Sequence, residues 1–348
     1  MEATLFVMGL GAMLAAVLYW GFTRLPGDSW QFLFSVPERR LDDGGWGSRN
    51  FTFYGFFVAS ANTFAVAIAV LLLGSVSVRP VEAVAITLAL LGICIPASKI
   101  VAWIVEKKRN TFTVGGALFV GILVAPWLVL AVKKLSGPSS TMEVLTVCAA
   151  VCTAYGFGEG LGRLACISFG CCYGKPMSDV PPWLDRLFGR RGFVFQGKTK
   201  KIAYAGSLEG QKVFPIQALT AVLYNASALL GTWLFLAGFY GAAMVQVLVV
   251  TQVWRIISET LRDDYRGGGK ISAYQIMMGI ALVYSLALPF VFPPSPGVAP
   301  ALSAGWRTLW TPGMILSLQT LWALSFLYYG KSRTTGSRIH FHVNMEEI

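Results

Sequence analysis

Charge is what this sequence lacks most. Only 13% of its 348 residues are Asp, Glu, Lys or Arg, against about 25% in an ordinary soluble domain. With 55% hydrophobic residues beside it, that shortage excludes a soluble globular fold. Histidine is scarcer still, since His340 and His342 near the C-terminus are the only two. No zinc-finger spacing or RNA-binding signature accompanies the net charge of +11. Nucleic acid is therefore not an expected partner, and anionic lipid headgroups are the more economical one. A basic n-region is missing ahead of residues 3–22, which read as a first spanning helix and not as a cleavable signal. A disulfide framework is missing too. Cys94, Cys148 and Cys152 lie inside apolar runs, where cysteine acts as a small hydrophobe. No internal repeat is found, and no cofactor is implied.

What the chain has in quantity is apolar runs of the roughly 20 residues that cross a bilayer. The expected fold is an all-α polytopic integral membrane protein with about nine transmembrane helices and a small inserted extramembrane head. The spans fall near 3–22, 51–74, 81–104, 113–132, 141–160, 214–238, 240–260, 271–292 and 307–328. The segment 23–50 reads as a polar loop with a Gly44-Gly45-Trp46-Gly47 turn signal. Residues 175–213 form the head, and the alternation at Gly192-Phe-Val-Phe-Gln196 suggests a short strand pair. The implied organisation is an extra N-terminal helix and polar loop over 1–50, a membrane domain over 51–292, and an extra helix with a basic tail over 293–348. With nine spans, all of the 28 Lys and Arg except Arg79, Lys133, Lys134 and Arg307 share one side. The positive-inside rule makes that side cytoplasmic.

One stretch concentrates the unusual chemistry. Gly160-Leu-Gly162-Arg163-Leu-Ala-Cys166-Ile-Ser-Phe-Gly170-Cys171-Cys172-Tyr173-Gly174 closes the fifth apolar run and opens the head. Glycine at this density suggests a tight turn at a membrane boundary. Arg163 there is either a snorkelling or Glu159-paired structural arginine, or a functional cation. Arg255, Glu259 and Arg262 recur at i, i+4 and i+7, placing cation, anion and cation on one helix face. Two arginines from different helices near one boundary make a clamp for a phosphate group. Cys166, Cys171 and Cys172 read either as small packing residues at the turn or as a thiol activated by Arg163. A metal site wants four ligands, and no nearby histidine or further cysteine completes that set.

The stretch Gly162-Arg163-Leu-Ala-Cys166…Gly170-Cys171-Cys172-Tyr173-Gly174 resembles the signature of the prolipoprotein diacylglyceryl transferase family. The subset it looks most like reads Gly-Arg-x-Gly-Cys-Phe-x-x-Gly-Cys-Cys-Tyr-Gly. Other pieces follow in the family's order: Tyr54-Gly55, Lys99 in place of an arginine, Gly115-Gly116-Ala-Leu-Phe119-Val120-Gly121, Phe214-Pro215-Ile-Gln217, Arg255-x-x-x-Glu259-x-x-Arg262, and Ser272-x-x-Gln275. The resemblance covers roughly 50–292. It implies transfer of a diacylglyceryl group from phosphatidylglycerol, or a similar anionic phospholipid, to the lipobox cysteine thiol of a prolipoprotein. It also implies a multi-pass protein of the bacterial cell inner membrane working on its outer face, against the charge rule.

By the resemblance, Arg163 and Arg255 would stabilise the departing phosphate, with Glu159 or Glu259 as the base. Tyr54, Lys99, Gly162, Cys166, Gly170, Cys171, Tyr173, Gly174, Gln217 and Arg262 would line or shape the substrate site. Two departures stand out. The family's histidine aligns with Val120, and the one before Pro215 is Phe214. A non-catalytic relative that binds anionic lipid or a lipoprotein precursor is the rival reading. A transporter is a third, which the broken spans allow but no repeat supports.

Overall fold

A computed structural model of the chain describes all residues except 108–112, 265–270 and 294–298, together with the side chain of Glu106. Twelve α-helices and five strands are present among the described residues. In chain order they are α1 (Glu2–Arg24), β1 (Phe32–Arg40), β2 (Trp46–Thr52), α2 (Phe53–Ser75), α3 (Pro80–Glu106), α4 (Val114–Ser136) and α5 (Val144–Phe169). The head supplies α6 (Pro182–Phe188), β3 (Phe193–Val194), α7 (Lys201–Gly206) and β4 (Lys212–Val213). Then come α8 (Ile216–Leu236), α9 (Tyr240–Ser258), α10 (Ala273–Val291), α11 (Leu302–Leu309), α12 (Pro312–Tyr329) and β5 (Lys331–Ile339).

Eight helices, α1 to α5 and α8 to α10, are long and apolar enough to cross a membrane. The ninth expected span is not among them. Pro312 starts a new helix at N1, where proline is tolerated, so the run expected at 307–328 divides into α11 and α12. Gln319, Thr320, two serines and two tyrosines dilute α12, which nevertheless packs along α2 through a Trp322 Nε1–Ser60 Oγ hydrogen bond of 3.1 Å.

Small residues let the central helices close on one another, as membrane helix packing requires. A Cβ on Gly160 of α5 would lie 2.4 Å from Asn225 Nδ2 of α8, and one on Gly158 would lie 3.0 Å from Ala65 of α2. Thr220, Thr232, Thr251 and Ser285 each donate to the carbonyl four residues back, at 2.6–2.8 Å. No buried hydroxyl among these four is left without an acceptor in the apolar interior.

The head sits on the ends of α1 and α5, where Phe193, Phe195, Ile202 and Val213 pack with Leu18, Leu25, Leu164 and Ile167. Its strut is Lys200, 0% exposed, whose ammonium donates to Leu25 O at 3.0 Å and Ser168 O at 2.7 Å. The expected strand pair is β3 with β4, joined at Phe193–Val213 and Val194–Lys212.

The segment 23–50 departs from expectation, since most of it is the β1–β2 hairpin rather than a polar loop. The reason lies in its alternation: Phe32, Phe34 and Val36 recur with period two, which charges and Pro37 obscure. The basic tail is likewise a strand. β5 pairs antiparallel with β2, Trp46 opposite Ile339 and Phe51 opposite Lys331, giving the sheet order β1-β2-β5. The two appendages thus meet in one sheet that caps the head end of the bundle. Beneath it the backbones of α2 and the α12 terminus touch, since a Cβ on Gly55 would fall 2.1 Å from Gly330 Cα.

Arg79 and Lys133 lie together at the opposite end, Arg79 donating to Ser136 O at 3.3 Å and Lys133 pairing with Glu143 at 3.1 Å. Arg307 on α11 shares that end, where Thr308 meets Gly74 of α2.

Candidate active site

The glycine-rich stretch builds its own turn. Gly170 takes a left-handed φ of +68° and ends α5, and Cys172 follows at φ +56°. This reversal folds the two cysteines back over Cys166, whose carbonyl accepts the Cys171 N–H at 3.0 Å. Gln217 at the start of α8 secures the turn by donating Nε2 to Cys171 O at 3.1 Å. The following segment is clamped to the end of α9: Lys175 N donates to Leu261 O at 3.0 Å, and Asp263 N to Tyr173 O at 3.2 Å. Gly174 is required at this crossing, because a Cβ there would lie 2.4 Å from Phe214 O.

A cavity of about 760 Å³ opens beside this turn and runs down between α2, α3, α4, α5 and α9. Its upper wall is polar, with Tyr54, Glu159, Arg163, Arg255, Arg262 and the three cysteines of the turn. Its lower wall is apolar, with Leu91, Leu118, Ile122, Pro126, Leu248 and Leu288.

Arg163 and Arg255 meet at one atom. Glu159 Oε2 accepts from Arg163 Nη2 at 2.6 Å and also from Arg255 Nη2. All three side chains are nearly buried, Arg163 being 8% exposed. The Nε of each arginine is buried and has no partner. One carboxylate cannot neutralise two guanidinium groups, so the triad keeps a net positive charge in a low-dielectric wall. On α4 beside Arg255, Gly115 makes room for Tyr274 of α10, whose Cδ1 would lie 2.9 Å from a Cβ there.

The remaining expected residues divide. Tyr54, Lys99, Gly162, Cys166, Cys171 and Arg262 line the cavity. Tyr54 packs its ring 5.6 Å from Phe169, and Lys99 sits 5.8 Å from the Tyr328 ring. Gly162 has open space where a Cβ would go. Gly170, Tyr173, Gly174 and Gln217 shape the turn without facing the cavity. Tyr173 is buried against the head, and burial first, then Asp264 and Asp263, push its phenol above the ordinary value.

The expected Arg255–Glu259–Arg262 face does not form. The α-helix ends at Ser258 and tightens into a 3₁₀ turn over Glu259–Leu261. Arg255 therefore turns to Glu159, and Arg262 grips Asp264 through two bonds of 2.8 and 3.0 Å. Glu259 lies outside the wall. Val120, at the family's histidine position, is also outside it.

Some wall residues escaped the sequence. Tyr155 contributes a buried hydroxyl beside Arg255, one turn before Glu159 on α5. Its spacing from Glu159 was the available signal. Lys331 and Arg333 of β5 and Tyr329 at the end of α12 line the cavity mouth, and no local pattern connects them to it.

Fold and wall together define a polytopic α-helical membrane protein with a two-arginine cavity at one end of its bundle. A family model for prolipoprotein diacylglyceryl transferase matches residues 46–291, about seven-tenths of the chain, and the protein belongs to that transferase family of lipoprotein biosynthesis. A search of curated proteins returned no match.

Proposed function

We propose that the protein transfers a diacylglyceryl group from phosphatidylglycerol, or a closely similar anionic phospholipid, to the lipobox cysteine thiol of a prolipoprotein. The observation that carries this reading is the pair of arginines from separate helices, each with an unpartnered Nε, above an apolar channel. The channel suits acyl chains, and the arginines suit the phosphodiester that would hang above them. As the glycerol carbon–oxygen bond breaks, negative charge grows on the departing phosphate. Preorganised guanidinium groups in a dry site stabilise that charge more than they stabilise the ground state. Glu159 holds both arginines in place before substrate arrives, which removes the cost of ordering them during the reaction.

The rival reading, a relative that binds lipid without transfer, draws support from the base. Glu159 Oε2 is taken by two arginines, Glu259 is outside the wall, and Val120 offers no imidazole. Incubating the purified protein with radiolabelled phosphatidylglycerol and a lipobox peptide decides between them. Label on the peptide thiol, reduced about 100- to 1,000-fold in Arg163→Ala, is the expected result. Lipid binding without labelled peptide would establish the rival.

A further inference from the structure

The missing base directs attention to the cysteine turn, which the arginine chemistry leaves unused. The Sγ atoms of Cys166, Cys171 and Cys172 all lie within 4.8 Å of one another, and all three residues line the cavity. No disulfide joins any of them. Read along the chain, they fell short of a metal set for want of a fourth ligand. In a catalytic zinc site, however, three protein ligands are the full complement, and the fourth position belongs to water or substrate.

We propose that Cys166, Cys171 and Cys172 form a three-thiolate site for Zn²⁺ whose open position, facing the cavity, receives the acceptor thiol and presents it as a thiolate. The inference rests on the transferase reading above. Zn–S bonds of about 2.3 Å put tetrahedral sulfurs roughly 3.8 Å apart, so each pair needs to close by ~1 Å or less. Side-chain rotation supplies that, because the backbone is already set. The left-handed residues Gly170 and Cys172 aim the three side chains at one point, and Gln217 holds the Cys171 carbonyl from behind. Three thiolates around Zn²⁺ carry one net negative charge, and the net positive charge of the Arg163–Glu159–Arg255 triad in the same wall offsets it.

The site does what the absent histidine would do. A thiol bound to zinc is deprotonated outright, and its proton passes to water. The sulfur electron pair then forms the carbon–sulfur bond to the glyceryl carbon as the carbon–oxygen bond to phosphate breaks. The electrons of that bond stay on the departing phosphate, held by Arg163 and Arg255. The resulting thioether is a weaker ligand than a thiolate, so the product leaves and the metal remains.

The test uses the full chain in detergent under reducing conditions, stripped with chelator and reloaded with Zn²⁺ or Co²⁺. One metal ion per chain is expected, with a thiolate-to-cobalt charge-transfer band that shifts on adding a lipobox peptide and not its Cys-to-Ser analogue. Cys166→Ser and Cys172→Ser are each expected to lower metal affinity by more than the about 10- to 100-fold typical of an outer-shell partner. No metal retained by the wild type above a triple serine variant would overturn the site. A band indifferent to the peptide thiol, or transfer running undiminished in metal-free protein, would overturn its role while leaving the transferase reading intact. Absence of transfer with a peptide-sensitive band would reject the transferase reading and uphold the metal site.

Discussion

At the scale of single residues, the Arg163–Glu159–Arg255 triad separates grip from charge. An ammonium at position 163 keeps the charge but cannot reproduce a planar, two-pronged hold on phosphate. Arg163→Lys is accordingly expected to lose most of its transfer rate with little loss of lipid binding, read as a fall in kcat at nearly constant KM. Glu159→Gln acts in the opposite sense, leaving two buried guanidinium groups without their shared anion. It is expected to cost about 3–5 kcal/mol of stability, seen as a lowered unfolding midpoint in detergent.

Lys200 makes a pH prediction. Burial, partly countered by Asp28, depresses its ammonium from 10.5 to about 8. Below pH 8 the folded state carries the full penalty of burying that charge, and the unfolded state carries none. As pH rises from about 8 toward 10.5 the penalty disappears, while the neutral amine still donates to Leu25 O and Ser168 O. Stability in this window should therefore rise with pH, and Lys200→Met should flatten the rise in thermal melts from pH 7 to 10.

Among elements, the α5–α8 seam fixes where Arg163 points. Gly160→Val would drive its side chain into Asn225 and break the latter's 2.8 Å bond to Ala221 O. Overpacking of this kind costs about 1–3 kcal/mol, and activity should fall with the melting temperature. The sheet makes a second case. Removing the chain from Lys331 onward would uncover the β2 edge and take Lys331 and Arg333 out of the cavity mouth. Exposed strand edges recruit other chains, so size-exclusion chromatography should show self-association.

These two elements also mark how far the sequence could be read. A span is a local property, twenty apolar residues in a row, and eight of nine expected spans are helices that long and apolar. The β2–β5 pairing joins Phe51 to Lys331 and Trp46 to Ile339, positions from opposite ends of the chain, and neither strand carries a local sign of the other. The site divides along the same line. Arg163–Glu159 is an i, i+4 pair visible on a helical wheel, whereas Arg255 reaches Glu159 only because α9 leans on α5. Periodicity instead offered Glu259, and a 3₁₀ turn withdrew it.

For the whole molecule, the ends of the bundle carry unequal charge, with Arg79, Lys133 and Arg307 gathered at one and the head, sheet and cavity mouth at the other. Single cysteines introduced at Asp42 and Lys198 should label from the same side of the membrane in intact cells, and one at Ser139 from the other. Outward labelling of the first two is the outcome the proposed prolipoprotein acceptor requires. Inward labelling would place the cavity mouth with the cytoplasmic charge.

The central place of β2 has a consequence for how the protein is born. Translation at about 5–20 residues per second leaves on the order of 15–60 s between the emergence of Thr52 and that of Gly330, its partner 278 positions later. Throughout that interval the hairpin waits with one flank bare while the bundle is threaded into the bilayer. Residues of β5 line the cavity, so its wall is completed only after every one of the eight spanning helices has been made.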